Sequence, residues 1–129
     1  MCSAISPPAL TDASTTTRTV AILADDLIWS TRLADAVKAA GSEARVVRRV
    51  DDLELLLPAD VLVDLTARAY DGVAAIRLAA ASGARVIAVG QHEDAALRKV
   101  AIEAGASRVF TYRALFEDGP RLLGRWLAS

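Results

Sequence analysis

The sequence predicts an α/β fold, a three-layer αβα sandwich around a five-stranded parallel sheet. Short runs rich in Val, Ile and Leu alternate with longer segments of helical spacing, five times over. Strands that alternate with helices pair in parallel through right-handed crossovers. The strand runs are also apolar throughout, as in a sheet covered on both faces. At 129 residues the chain fits one domain.

Met1 to Thr17 is rich in Ser, Thr, Ala and Pro and lacks the basic and apolar regions of a secretory signal, so residues 1–17 are expected to form a flexible tail. Residues 18–129 form the folded domain. Val20 to Ala24 is a buried first strand, closed by Asp25-Asp26. Apolar residues at Leu33, Ala36, Val37 and Ala40 follow Trp29 at helical spacing, and Gly41 stops that helix. Ala44 to Val47 is the second strand. Asp51 to Leu57 reads as a brief helix with Asp51 as N-cap, broken by Pro58.

Val61 to Leu65 is the third strand, and a loop covers Thr66 to Ala69. An alanine-rich helix spans Asp71 to Ser82 and stops at Gly83. Arg85 to Val89 is the fourth strand. His92 to Ala104 reads as a helix with Ala96, Leu97, Val100, Ala101 and Ala104 on one face. Arg108 to Thr111 is the fifth strand. The last helix has Pro120 in its first turn and turns Leu122, Leu123, Trp126 and Leu127 to the core.

Composition narrows the function classes. The chain is 53% hydrophobic and 24% charged, with a net charge of -1, so no electrostatic case for nucleic acid or an anionic membrane arises. No apolar run approaches the ~18–20 residues that span a bilayer. Cys2 is the only cysteine, which rules out an intramolecular disulfide and fits a cytoplasmic location. His92, the only histidine, has no Cys or His cluster for zinc and no nucleophile elbow for a triad. No Gly-rich phosphate loop follows a strand.

Chemistry is expected at the carboxyl ends of the strands. With the common order 2-1-3-4-5, Asp25, Asp26 and Asp64 converge on one sheet edge. Three carboxylates in one pocket repel, so one is protonated or a hard cation sits among them, and oxygen ligands of this kind suit Mg²⁺. A purely structural reading competes with this one: Asp25 or Asp26 caps the first helix, and Asp64 caps the loop after its strand. Trp29 is either a partner patch at the site's edge or packing against the sheet.

Ile22-Leu23-Ala24-Asp25-Asp26, Asp64, Asp71-Gly72, Val86-Ile87-Ala88-Val89 and Ala101-Ile102-Glu103-Ala104-Gly105-Ala106 together resemble the receiver domain of two-component response regulators. The likeness runs from about Thr19 to Leu127. It implies a flavodoxin-like (βα)5 fold with strand order 2-1-3-4-5. It further implies that Asp64 is the phosphoacceptor, that Asp25, Asp26 and Asp64 hold Mg²⁺, that a histidine kinase is the phosphodonor, and that helix 4, strand 5 and helix 5 form a homodimer face.

The sequence departs from that pattern at the positions that grip the phosphoryl group. Gly90 stands for a hydroxyl residue, Tyr112 for a lysine, Arg113 for the following proline, and Val109 for the aromatic switch residue. Losing a lysine and a hydroxyl removes hydrogen bonds of which the charge-assisted one is worth about 1.5–3 kcal/mol. Arg113, one residue along, is the only nearby cation that could compensate if the loop turned it back.

The expectation is therefore a stand-alone, atypical receiver domain, a pseudo-receiver rather than an enzyme. It would act as a signalling and protein-interaction module independent of phosphorylation. The alternative is a working phosphoacceptor in a His-Asp phosphorelay, with Asp64 modified in the presence of Mg²⁺. A small metal-dependent hydrolase ranks third, because no base or oxyanion donor can be placed.

Overall fold

The computed structural model describes residues 18–91 and 94–129. The tail predicted over residues 1–17, with Cys2, and the sole histidine, His92, lie outside the described residues. Five strands are present: β1 (Thr19–Leu23), β2 (Glu43–Val47), β3 (Asp60–Asp64), β4 (Val86–Gly90) and β5 (Arg108–Thr111). They pair in parallel in the order β2-β1-β3-β4-β5. The helices between and after them are α1 (Leu27–Ala39), α2 (Val50–Glu54), α3 (Gly72–Ala81), α4 (Ala95–Ala104) and α5 (Tyr112–Ala128). This is the predicted (βα)5 sandwich with the predicted strand order.

Strand alternation divides the core into two. Val20, Ile22, Leu62, Ile87 and Val89 face Leu33, Val37, Leu123 and Trp126 of α1 and α5. Ala21, Leu23, Val61, Val63 and Ala88 face Leu53, Ile76, Ala79 and Ala101 of α2, α3 and α4. Each large aliphatic side chain buried this way stabilises the fold by about 1.5–3 kcal/mol. Asp64 lies two residues beyond Leu62, so its side chain falls on the α1–α5 side. That parity decides which helix start it meets.

Side-chain caps set four of the five helix starts. Asp26 accepts from Trp29 N at 2.8 Å, Asp71 from Ala74 N, Asp94 from Leu97 N, and Thr111 from Ala114 N. Each such cap is worth about 1 kcal/mol. The predicted cap at Asp51 is corrected: α2 starts one residue earlier, after Arg49, and Asp51 lies in its first turn.

Two further expectations need correction. The last helix begins at Tyr112, directly after β5, because Thr111 ends the strand and caps the helix at once. Pro120 does open a turn, but of the helix's second segment, beyond a kink where Asp118 has φ -144° and ψ 26°. Proline offers no N–H to the preceding turn and clashes with it, so the helix breaks there. On α4, Val100 is 40% exposed while Ala101 is fully buried. The buried side of α4 consists of Ala101 and Ala104, and the larger Val100 turns outward.

At the opposite edge of the sheet from the acidic residues, Arg85 grips Asp60 with two bonds of 2.9 and 2.8 Å. Its remaining hydrogens reach the carbonyls of Trp126 and Ser129 at 3.0 and 2.9 Å. The end of α5 is thereby tied to the start of β3 and β4.

Gly105 closes α4 at φ +128°, and a Cβ there would stand 2.5 Å from the Cβ of Ala80. Gly105→Ala combines left-handed strain with a clash between α3 and α4. It is expected to cost about 1–3 kcal/mol, read as a lowered urea midpoint with an unchanged slope.

Candidate functional site

Parallel pairing places the ends of β1 and β3 side by side, with Leu23 opposite Val63. The sequence-predicted residues Asp25, Asp26 and Asp64 therefore arrive at one edge, and Gly90 lies beside them at the end of β4. Their environments differ sharply. Asp64 is 1% exposed, while the other two border a cavity of about 350 Å³. That cavity is lined by Asp25, Asp26, Trp29, Thr66, Arg68, Gln91 and Tyr112. Asp64 is not among these residues, but Thr66, which bonds to it, is.

One oxygen of Asp64 is well served. Its Oδ1 accepts from Thr66 N at 2.9 Å and from Thr66 Oγ1 at 2.8 Å. The amide bond two residues ahead is the Asx-turn pattern that aspartate forms at strand ends. Thr66 has a single hydroxyl proton, and it goes to the carboxylate. The Tyr112 hydroxyl, 2.6 Å away, must then donate to Thr66 Oγ1. A chain runs from Tyr112 through Thr66 to Asp64. The other oxygen, Oδ2, is buried and has no partner.

Tyr112 is the first residue of α5 and is buried. Its ring stacks on the indole of Trp29 with centroids 4.0 Å apart and planes 9° apart. Trp29 packs against the α1–α5 core and on Tyr112, and it borders the open cavity. Arg113 points elsewhere: its guanidinium donates to Glu117 at 3.2 Å in solvent. The compensation considered for Arg113 is not present in this arrangement. Val109 is half-buried among the residues packed by α2, α3 and α4.

Asp25 and Asp26 carry structural work. Asp26 caps α1. Asp25 Oδ2 accepts from the amides of Arg68 and Ala69 at 3.3 and 3.2 Å, pinning the loop after β3 to the end of β1. Among the described residues, no group of three or more His, Cys, Asp or Glu side chains stands close enough to hold a metal ion. Each carboxylate has one oxygen committed to a cap, a loop or Thr66, and the buried Oδ2 of Asp64 is left without a partner.

Thr66, Arg68 and Tyr70 belong to the site, and the sequence reading passed over them as loop. Thr66 was detectable as a hydroxyl residue two positions after a strand-end aspartate. Arg68 is the one cationic side chain among the described residues lining the cavity. Tyr70 Oη lies 2.8 Å from the carbonyl of Leu23 and 2.7 Å from that of Asp64, so one proton is shared between two strand ends. Nothing in sequence spacing points to that role.

Both hydroxyls are harder to ionise than an ordinary tyrosine. For Tyr70 the causes are burial first, then the charges of Asp64 and Asp25. For Tyr112 they are burial first, then the Asp64 carboxylate beside it, against a smaller opposing effect of Thr66.

No family model matches the sequence, and no curated relative is found. Solved structures do match. The signal receiver domain of the DNA-binding response regulator merR from Colwellia psychrerythraea superposes with a TM-score of 0.74 at 16% identity, over 87% of this chain and 99% of that one. The DrrB receiver domain activated by BeF3 gives 0.72 at 18% identity, over 88% and 100%. A response regulator from Burkholderia pseudomallei, solved with a phosphorylated aspartic acid, a calcium ion and citrate, gives 0.68 at 17% identity, over 86% and 71%. The chain has the fold of response-regulator receiver domains. Among its described residues, no helix is long and apolar enough to cross a membrane.

The two tyrosines are the only ones in the chain. Raised folded-state values mean that their contribution to stability is complete below the unfolded value near pH 10 and is lost as pH rises toward the folded values. Absorbance at about 295 nm is expected to show no tyrosinate step near pH 10 in the folded protein. Tyrosinate should appear only together with loss of structure at higher pH.

Proposed function

We propose that this chain is an atypical receiver module, a signalling and protein-interaction domain that works without phosphorylation of Asp64. The observation that supports it most is the closure of Asp64, 1% exposed and engaged through Thr66 to Tyr112. A carboxylate oxygen must come within about 3–3.5 Å of phosphorus, in line with the leaving group, to accept a phosphoryl group. At 1% exposure Asp64 offers no such path. An aspartyl phosphate would carry about -1.5 to -2 charges in place of the carboxylate's -1, at an edge where Gly90 offers no hydroxyl and Tyr112 no cation.

The same reading makes the domain a binding partner rather than an enzyme. Its partners are signalling proteins of the cytosol, a histidine kinase among them, and a second copy of itself. Ile102 of α4, 41% exposed and one turn from Arg98, whose guanidinium reaches the Val109 carbonyl of β5, supports the α4–β5–α5 face as the dimer surface.

A second reading, a phosphoacceptor receiver, is favoured by one observation. Asp64 Oδ2 is buried without a partner, and Arg68 borders the adjoining cavity. In that case the carboxylate forms a bond to phosphorus as the bond from phosphorus to the donor's imidazole or acetate breaks.

Incubation with acetyl phosphate and Mg²⁺ separates the two. The expected outcome is no hydroxylamine-labile phosphoryl mass gain, with wild type and Asp64→Asn indistinguishable. A gain in wild type that disappears in Asp64→Asn sinks the phosphorylation-independent reading. In parallel, millimolar Mg²⁺ is expected to leave Trp29 emission unchanged.

A further inference from the structure

The rings of Trp29 and Tyr112 are each anchored by a helix start. The Trp29 amide receives the Asp26 cap at 2.8 Å, and Tyr112 follows the Thr111 cap. Both rings line the open cavity, and the Tyr112 hydroxyl, 2.6 Å from Thr66 Oγ1, links the stack to Asp64, which is 1% exposed and absent from that lining. The ladder continues outward. Arg32, one turn along α1 from Trp29, places its guanidinium carbon 5.5 Å from the indole and 4.7 Å from the ring of Phe116. Phe116 lies one turn along α5 from Tyr112 and is 64% exposed. Arg32 has no carboxylate partner among the described residues. Tyr112, Trp29, Arg32 and Phe116 thus form a continuous aromatic and cationic column from the buried acceptor to the α1–α5 surface.

We propose that the Trp29–Tyr112 stack is a gate over Asp64, held shut from the surface by Arg32 and Phe116. A stacked pair and a guanidinium between two rings are each weak contacts that single substitutions undo. The barrier they present is local: Asp64 sits on a strand flanked by β1 and β4, so opening requires movement of the rings and not of the sheet. Anything that takes up Phe116 or Arg32 removes the outer half of the column, and access to Asp64 rises. The proposal rests on the reading of Asp64 as a closed acceptor. It concerns physical access, whereas that reading concerns use of the phosphoryl group.

Labelling of carboxyl groups tests the gate without phosphoryl chemistry. The folded full chain is treated with a water-soluble carbodiimide and a small amine, and amide formation is followed residue by residue by mass spectrometry. Asp52, on the exposed surface, is the reference, and the half-buried Asp60 at the opposite sheet edge reports global opening. In wild type, Asp64 is expected to label at least about tenfold more slowly than Asp52. Tyr112→Ala should raise the Asp64 rate roughly fivefold to tenfold, the scale of one stacked contact. Phe116→Ala and Arg32→Ala, both at the surface, should raise it about twofold to fivefold. Asp52 and Asp60 should keep their wild-type rates. A rise at Asp60 would mark a variant as unfolded, and the surface variants then carry the test. The gate is overturned if wild-type Asp64 labels as fast as Asp52. It is equally overturned if folded Phe116→Ala and Arg32→Ala leave the Asp64 rate unchanged. Phosphoryl uptake by wild type together with ring-dependent labelling would refute the functional reading and leave the gate standing.

Discussion

A buried carboxylate with only one of its two oxygens satisfied governs the site. Every other residue of β3 that enters the core is apolar, and the strand is flanked on both sides by β1 and β4. Removing an ion from water costs several kcal/mol even after local relaxation. The two bonds from Thr66 return about 1.5–3 kcal/mol each at best. The Thr66 bonds thus offset a desolvation cost of similar size, and strand register holds Asp64 in the core.

The neighbouring aspartates show how one edge divides its labour. Asp26 stabilises the start of α1, and Asp25 ties the loop after β3 to the end of β1. Tyr70 adds a third tie through its shared hydroxyl proton.

The fold was legible because its signals are local and repeated. Apolar strand runs, glycine stops and the acidic strand ends all follow from sequence spacing, and the strand order came from topology. The start of α5 was not legible. Thr111 serves as strand end and cap together, leaving no polar loop to mark the boundary, and Pro120 drew attention to the second segment instead. The three carboxylates were correctly brought to one edge, but their bonding was invisible in sequence. Whether Asp26 points at a cation or at the Trp29 amide depends on a rotamer, and no spacing rule encodes it. Tyr112 was noticed for the lysine it lacks. Its contacts with Thr66 and Trp29, which join residues far apart in the chain, appear only once α1 and α5 lie side by side.

That substitution changes the kind of signal the edge can read. A lysine beside Asp64 would respond to charge, since a point cation is drawn toward an added phosphoryl group over several ångströms. A stacked tyrosine has no net charge to be drawn, and its energy depends on contact at van der Waals range. Its coupling therefore runs sideways into Trp29, Arg32 and Phe116, the groups it touches or reaches through one neighbour. In the gate proposed above, coupling runs by packing rather than by charge, and the surface it reaches is the one between α1 and α5.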